Sequence, residues 1–341
     1  MNGMGMGRKV IVMAVIAVSA AGVLVAGSAA AGAAAAGGCA GKAYVTNNID
    51  GTVSVINTAT GAVAPPITVG KNPTGVAITP DGKRVYVANP GDGTVSVITT
   101  ATGAVAPPIT VGNGPYAVAI APDGKRAYIT NNNDGTVSVI TTSTGVASAP
   151  ITVGNGPHAV AITPDGKHAY VANFSDTTVS VITTATGEAS APITVGQNPF
   201  GPAITPDGKH AYVSNFGDGT VSVITTATGV ASAPITVGNG PHGVAITPDG
   251  KHAYVGNAGD STVSVITTAT GAVSPPIAVG KGPHDVAITP DGKHAYVTNR
   301  TDGTVSVITT ATGAVSPPMT VGNGPIRVAI CPATSASRTR R

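Results

Sequence analysis

The residues of this 341-residue chain best able to do chemistry are seven histidines, two cysteines and a thin set of carboxylates, most of them at one spacing. His158, His242 and His284 are separated by multiples of 42 residues; His168, His210, His252 and His294 keep the same interval in a second register. A neutral imidazole can serve as general base, proton shuttle or metal ligand, so each register is a candidate site. In the first, the equivalent positions hold Thr74, Tyr116, Phe200 and Ile326, and the positions that follow are Gly75, Ala117, Ala159, Gly201, Gly243, Asp285 and Arg327. Asp285 and Arg327 are the only charges there. In the second register the other copies hold Lys42, Arg84 and Arg126, as expected of a polar residue at an exposed strand start. Asp50, Asp92, Asp134, Asp176, Asp218, Asp260 and Asp302 also repeat. Calcium needs six to eight converging oxygens, whereas one Asp per copy fits a carboxylate that accepts backbone N–H in its own turn. Glu188 is the one glutamate, and no nucleophile elbow, zinc spacing, phosphate loop or dinucleotide fingerprint stands above the repeat.

The elements that must position these residues are legible from the same period. Tyr recurs at 44, 86, 128, 170, 212, 254 and 296 without an insertion. Each copy holds four short β-branched runs separated by Asn-x-x-Asp-Gly, Ala-Thr-Gly, Val-Gly-x-Gly-Pro and Pro-Asp-Gly-Lys, all turn-forming combinations. With 46 Gly, 27 Pro, 3% aromatics and no Trp, the core must be Val, Ile and Ala, which suits many short strands. The formal charge is +3, and Arg8 and Lys9 account for two of the 18 basic residues. That balance excludes a basic nucleic-acid footprint.

Tyr44-Val45-Thr46-Asn47 and Tyr296-Val297-Thr298-Asn299, with Val-Ala-Ile-Thr-Pro-Asp-Gly-Lys, resemble the YVTN-repeat β-propeller family of bacterial surface-layer and secreted proteins, over nearly all of residues 42–330. The resemblance implies an all-β, seven-bladed propeller of four-stranded antiparallel blades, with Val-Ala-Ile innermost. The chain opens on a second strand and ends on an unpartnered Val328-Ala329-Ile330, so the ring is expected to close by pairing its N- and C-terminal strands. Prolines 66, 108, 150, 192, 234, 276 and 318 guard the outer edges. Counting in register puts Cys39 and Cys331 where Asp81 and Thr79 flank the inner hairpin elsewhere, which predicts a disulfide. Tyr116, His158, Phe200, His242, His284, Asp285 and Arg327 then surround the mouth of the central channel and form the candidate ligand site. Asp285 and Arg327 face each other, His242 and His284 are neighbours, and Tyr116, His158 and Phe200 make a separate, less polar sector. This asymmetry suits a small polar or anionic ligand.

Arg8 and Lys9, an apolar run and a small-residue tract read as a secretory signal peptide and Ala/Gly-rich leader over 1–38. Retention as an anchor or lipidation at Cys39 are the alternatives. The propeller is expected over 39–332 and a disordered basic tail over 333–341. The functional expectation is a secreted or cell-surface monomer acting as a binding or structural module for a protein, glycan or small molecule, with no nucleic-acid partner and no integral membrane domain beyond the leader. The alternative is a channel-mouth lyase or lactone hydrolase. No cofactor is expected, and a divalent metal held by two His and Asp285 is the exception left open.

Overall fold

Alternation of Val and Ile with small residues over six-residue runs, punctuated by Gly in the left-handed region, produces only strands and tight turns. The computed structural model describes Met1 and residues 38–332; the expected leader (but for Met1 and Gly38) and the expected tail lie outside the described residues. Seven antiparallel sheets form the blades of a propeller. Blade 2 is representative: inner strand Val76–Ile78, second strand Arg84–Asn89, third strand Thr94–Thr99 and outer strand Ile109–Thr110. In blades 3, 4 and 5 a proline splits the outer strand, so that Val146–Ala147 and Ile151–Thr152 pair separately with Thr136–Thr141. Among the described residues no helix is long and apolar enough to cross a membrane; the named elements there are all strands.

Blade 1 draws its second, third and outer strands from the N-terminal side (Lys42–Asn47, Thr52–Asn57, Ile67–Thr68) and its inner strand, Pro325–Ile330, from the C-terminal side. Ala43 pairs with Ile330, Tyr44 with Ala329 and Val45 with Val328, which closes the ring. Cys39 and Cys331 form a disulfide with Cα atoms 5.7 Å apart. Cys331 N–H donates to the Lys42 carbonyl (3.0 Å), as Thr79 N–H does to Arg84 in blade 2 (2.9 Å), so the broken hairpin keeps the register of the intact ones.

The core is a wheel of interfaces between successive blades. Tyr86 and Val97 of blade 2 pack with Val118, Ile129 and Ile140 of blade 3, and the pattern repeats. Each recurrent Tyr buries its ring; Tyr86, Tyr212, Tyr254 and Tyr296 also donate a hydroxyl proton to a Thr carbonyl of the next blade (3.2–3.4 Å). Burial pushes the Tyr44, Tyr128, Tyr170, Tyr212, Tyr254 and Tyr296 phenols up.

The repeated aspartates correct the own-turn expectation. Asp92 Oδ2 accepts the backbone N–H of Lys71 (2.6 Å), and Asp134, Asp176, Asp218, Asp260, Asp302 and Asp50 do the same for Asn113, Asn155, Gln197, Asn239, Lys281 and Asn323. The carboxylate therefore ties its turn to the loop entering the same blade's inner strand, because the two loops lie side by side on one face.

Candidate functional site

What aims side chains into the channel is a bulge at the head of the inner strand. In blade 7 Pro283 pairs with Asn299 and Asp285 with Thr298, leaving His284 as the extra residue; blade 4 repeats this with His158. The amide after the bulge is caught by a hydroxyl of the second strand. Ala117 N–H donates to Thr130 Oγ1 (2.9 Å), Asp285 N–H to Thr298 (3.0 Å) and Arg327 N–H to Thr46 (3.1 Å). The same hydroxyls donate onward to the next blade's channel residue: Thr46 to the Thr74 carbonyl (2.7 Å), Thr298 to Ile326 (3.0 Å) and Ser214 to His242. Blades 1, 3, 5 and 7 carry these hydroxyls, whereas blades 2, 4 and 6 have Ala88, Ala172 and Gly256.

All seven predicted residues come together, but they fill the mouth instead of surrounding it. Ring centroids step from Tyr116 to His158 (3.8 Å), His158 to Phe200 (3.9 Å), Phe200 to His242 (4.3 Å) and His242 to His284 (4.5 Å). Phe200 also meets His284 across the channel (5.3 Å) and lies 5.6 Å beneath the Arg327 guanidinium. The expected division into polar and apolar sectors therefore does not hold. Side chains this large, projected from seven strands into one narrow channel, must interpenetrate. His158, Phe200, His284 and Asp285 are buried, and His242 is half-buried with its Nδ1 2.9 Å from the Gly240 carbonyl.

The position after the bulge points at the neighbouring inner strand, which is why small residues occupy it in five blades. A Cβ on Gly243 would collide with Asp285 Oδ1. Asp285 uses the room so created: Oδ1 accepts from Arg327 Nη1 and Oδ2 from Val328 N–H, both at 3.1 Å. The ion pair is only 13% and 11% exposed, so each charge depends on the other. Arg327 Nε and Nη2, His158 Nδ1 and His284 Nδ1 are buried without a protein partner.

Burial sets the protonation states. It drives the His158 and His284 imidazoles well below their usual range, reinforced by Arg327 and by the other imidazoles. His242 falls to about 4, chiefly through burial, against the Gly240 contact and with help from Arg327 and Arg300. Burial raises the Tyr116 phenol and, against the pull of Arg327, the Asp285 carboxyl. Among the described residues no three His, Cys, Asp or Glu are placed to hold a metal ion; the imidazoles stack instead of converging on a point.

A second variable ring, missed in the sequence, lies on the turns above. The position after each buried Asn is Asn48, Pro90, Asn132, Phe174, Phe216, Ala258 or Arg300. Phe174 packs on His158 (5.3 Å) and Phe216 on His242 (5.0 Å), and the two rings lie 6.1 Å apart. The signal was available, since this position varies between near-identical copies just as the channel position does. The second His register instead lines grooves between blades; His210, Tyr212, Asp249 and Thr268 border one of about 500 Å³.

These features define a seven-bladed β-propeller with a packed channel mouth. The chain is similar to two described propeller families: the YNCE-like beta-propeller over residues 6–133 and the 7-bladed beta-propeller lactonase over residues 194–325. Among solved structures it resembles the hydrazine synthase of Kuenenia stuttgartiensis, with 26% identity, a TM-score of 0.75, and 81% of this chain and 94% of that one covered. A protein of unknown function from Desulfotomaculum acetoxidans has 20% identity and a TM-score of 0.75, with 86% and 99% covered. A provisionally assigned 6-phosphogluconolactonase from Bacteroides uniformis has 21% identity and a TM-score of 0.70, with 84% and 98% covered. The last two share the fold alone. No curated protein matches the chain.

Proposed function

We propose that the chain is a secreted or surface-attached propeller of the YVTN-repeat kind, a monomer acting as a binding or structural interaction module for a protein, glycan or small molecule at its channel-mouth face. One observation carries this reading: Tyr116, His158, Phe200, His242 and His284 pack against one another, and Asp285 and Arg327 engage each other. A general base working near neutral pH wants a pKa near 7, whereas His242 sits at about 4 and its neighbours are depressed as well. The Cys39–Cys331 bond fits an oxidising compartment outside the cytoplasm.

The second reading, a lactone hydrolase, is favoured by the lactonase-family match over 194–325, a span that includes Phe200, His242, His284 and Asp285. A panel of lactones, offered to the full oxidised chain with and without Ca²⁺, Mn²⁺ or Zn²⁺, separates the two. We expect no turnover above buffer and a fully oxidised cysteine pair in the extracytoplasmic fraction. Turnover that the His242→Ala/His284→Ala variant loses would replace the binding reading with the enzymatic one.

A further inference from the structure

The mouth is built in two layers, and the upper one is open. Phe216 is 38% exposed and Phe174 half-buried, Phe174 resting on the buried His158 and Phe216 on the half-buried His242. Flat apolar surface presented beside a mouth is unusual in a chain with only three Phe and no Trp. Arg300 occupies the equivalent turn of blade 7; it is exposed and has no ion pair among the described residues. Its charge is nevertheless felt at His242, His284 and, on the far side of the mouth, Tyr116. Arg300 is the one charge of this variable ring; Asp302, two residues on, has its carboxylate engaged by the Lys281 N–H (2.6 Å), and Asp285 is matched by Arg327.

Resting on the binding reading above, we propose that Phe174, Phe216 and Arg300 form a recognition site for a small anionic ligand with a planar apolar body, an aryl carboxylate in class. The apolar plane lies against Phe174 and Phe216, where it gains edge or offset stacking. The carboxylate meets Arg300, whose planar fork can donate two parallel hydrogen bonds. Asn48, Pro90, Asn132 and Ala258 at the other equivalent turns offer neither aromatic plane nor charge, so the ligand takes one orientation across the mouth.

The test uses 2-naphthoate as probe, with acetate for the charge alone and 2-naphthylmethanol for the plane alone, titrated calorimetrically into the full oxidised chain. Naphthoate should bind at least tenfold more tightly than either control. Arg300→Ala should weaken it about tenfold, Arg300→Lys less, and Phe216→Ala several-fold, while melting stays within about 2 °C because both side chains are exposed. Parity of naphthoate with acetate, or unchanged binding in Arg300→Ala and Phe216→Ala, overturns the proposal. If binding survives those two variants but is lost in His242→Ala/His284→Ala, this site is wrong and the channel-mouth reading stands. Lactone turnover lost in that double variant is the separate failure of the binding reading itself.

Discussion

At the scale of residues, the cluster is a set of ionisable groups kept neutral or paired. The unfolded chain titrates His242 near the ordinary 6.5, and the fold lowers it to about 4. Between those values the unfolded state binds the extra proton, so stability is complete above about pH 6.5 and is lost as pH falls towards 4. For His242 alone the full loss is about 3 kcal/mol, at about 1.4 kcal/mol per unit. His158 and His284, depressed through burial, add to it in the same direction. Asp285, raised by burial against the pull of Arg327, opposes it, and Arg327 and Arg300 disfavour the imidazolium at His242. Seven hydrogen-bonded aspartates, among them Asp165, Asp207 and Asp291, act in the same sense as the histidines but only at lower pH. We therefore expect the melting temperature to fall between pH 7 and pH 5, and to fall measurably less in His242→Phe, which keeps a ring in the stack and removes the proton site. An identical pH slope in wild type and variant would mean that the mouth does not set acid stability.

At the scale of elements, each blade depends on its two adjacent loops sharing one hydrogen-bond set. Asn173 donates to Thr178 Oγ1 and Ser180 Oγ (both 3.0 Å), while Asp176 accepts from Asn155 N–H (2.6 Å). Gly154 runs directly over that cluster: a Cβ there would stand 2.5 Å from the Asn173 amide and 2.7 Å from Asp176. Gly154→Ala should therefore cost about 1–3 kcal/mol through overpacking of a buried polar group, read as a lower melting temperature. Asn173→Ala is destabilising alone, yet in the double variant the two costs should add to less than their sum, because the second change relieves the first. Strict additivity would place the cost of the methyl elsewhere. Such contacts show what was readable beforehand. Strand, turn and blade follow from Val-Ala-Ile, Pro-Asp-Gly-Lys and a rigid 42-residue period, since these are local. That Asp176 serves Asn155 and not its own turn is a fact about two loops 21 residues apart, and no local rule supplies it. Phe174, Phe216 and Arg300 each follow a turn-forming Asn, and the local pattern that accounts for the turn does not say which neighbouring blade the next side chain faces. The channel residues were readable as a set, but their interpenetration depends on channel width against side-chain size, which sequence spacing does not contain.

At the scale of the whole molecule, one seam decides whether the wheel stays shut. Six blades are covalent meanders; blade 1 is held by the pairing of Lys42–Asn47 with Pro325–Ile330, by side-chain bonds such as Asp50 to Asn323 N–H and Thr46 to Arg327 N–H, and by the one covalent link across the seam, the Cys39–Cys331 bond, with a sequence separation of 292. Loop closure over that span restricts the unfolded chain by about 6 kcal/mol in chain-entropy terms. Cys39 and Cys331 also pack with Tyr44, Val53, Val85 and Ile98 at the interface of blades 1 and 2, so the bond lies inside the core. Cys39→Ser/Cys331→Ser should lower the melting temperature by about 12 °C, at about 2 °C per kcal/mol for a domain of this size. Once the seam opens, two unpaired strands are presented to solvent, so heating the variant should give concentration-dependent aggregation that the oxidised protein resists. Loss of entropic closure can be told from loss of core packing by circular permutation. Joining position 331 to position 39 through a short linker in the Ser/Ser background, and opening the chain at the Asp165–Gly166 turn of blade 4, restores a covalent hairpin at blade 1 while leaving the serines in place. If closure is what the disulfide supplies, the permutant sealed at blade 1 should resist aggregation from that seam and fray at blade 4 instead. Hydrogen exchange would show protection retained at Tyr44 and Val328 and reduced at Ala161 and Tyr170. Equal melting of the oxidised protein and the Ser/Ser variant would mean that the backbone pairing of Val45 with Val328 is sufficient by itself.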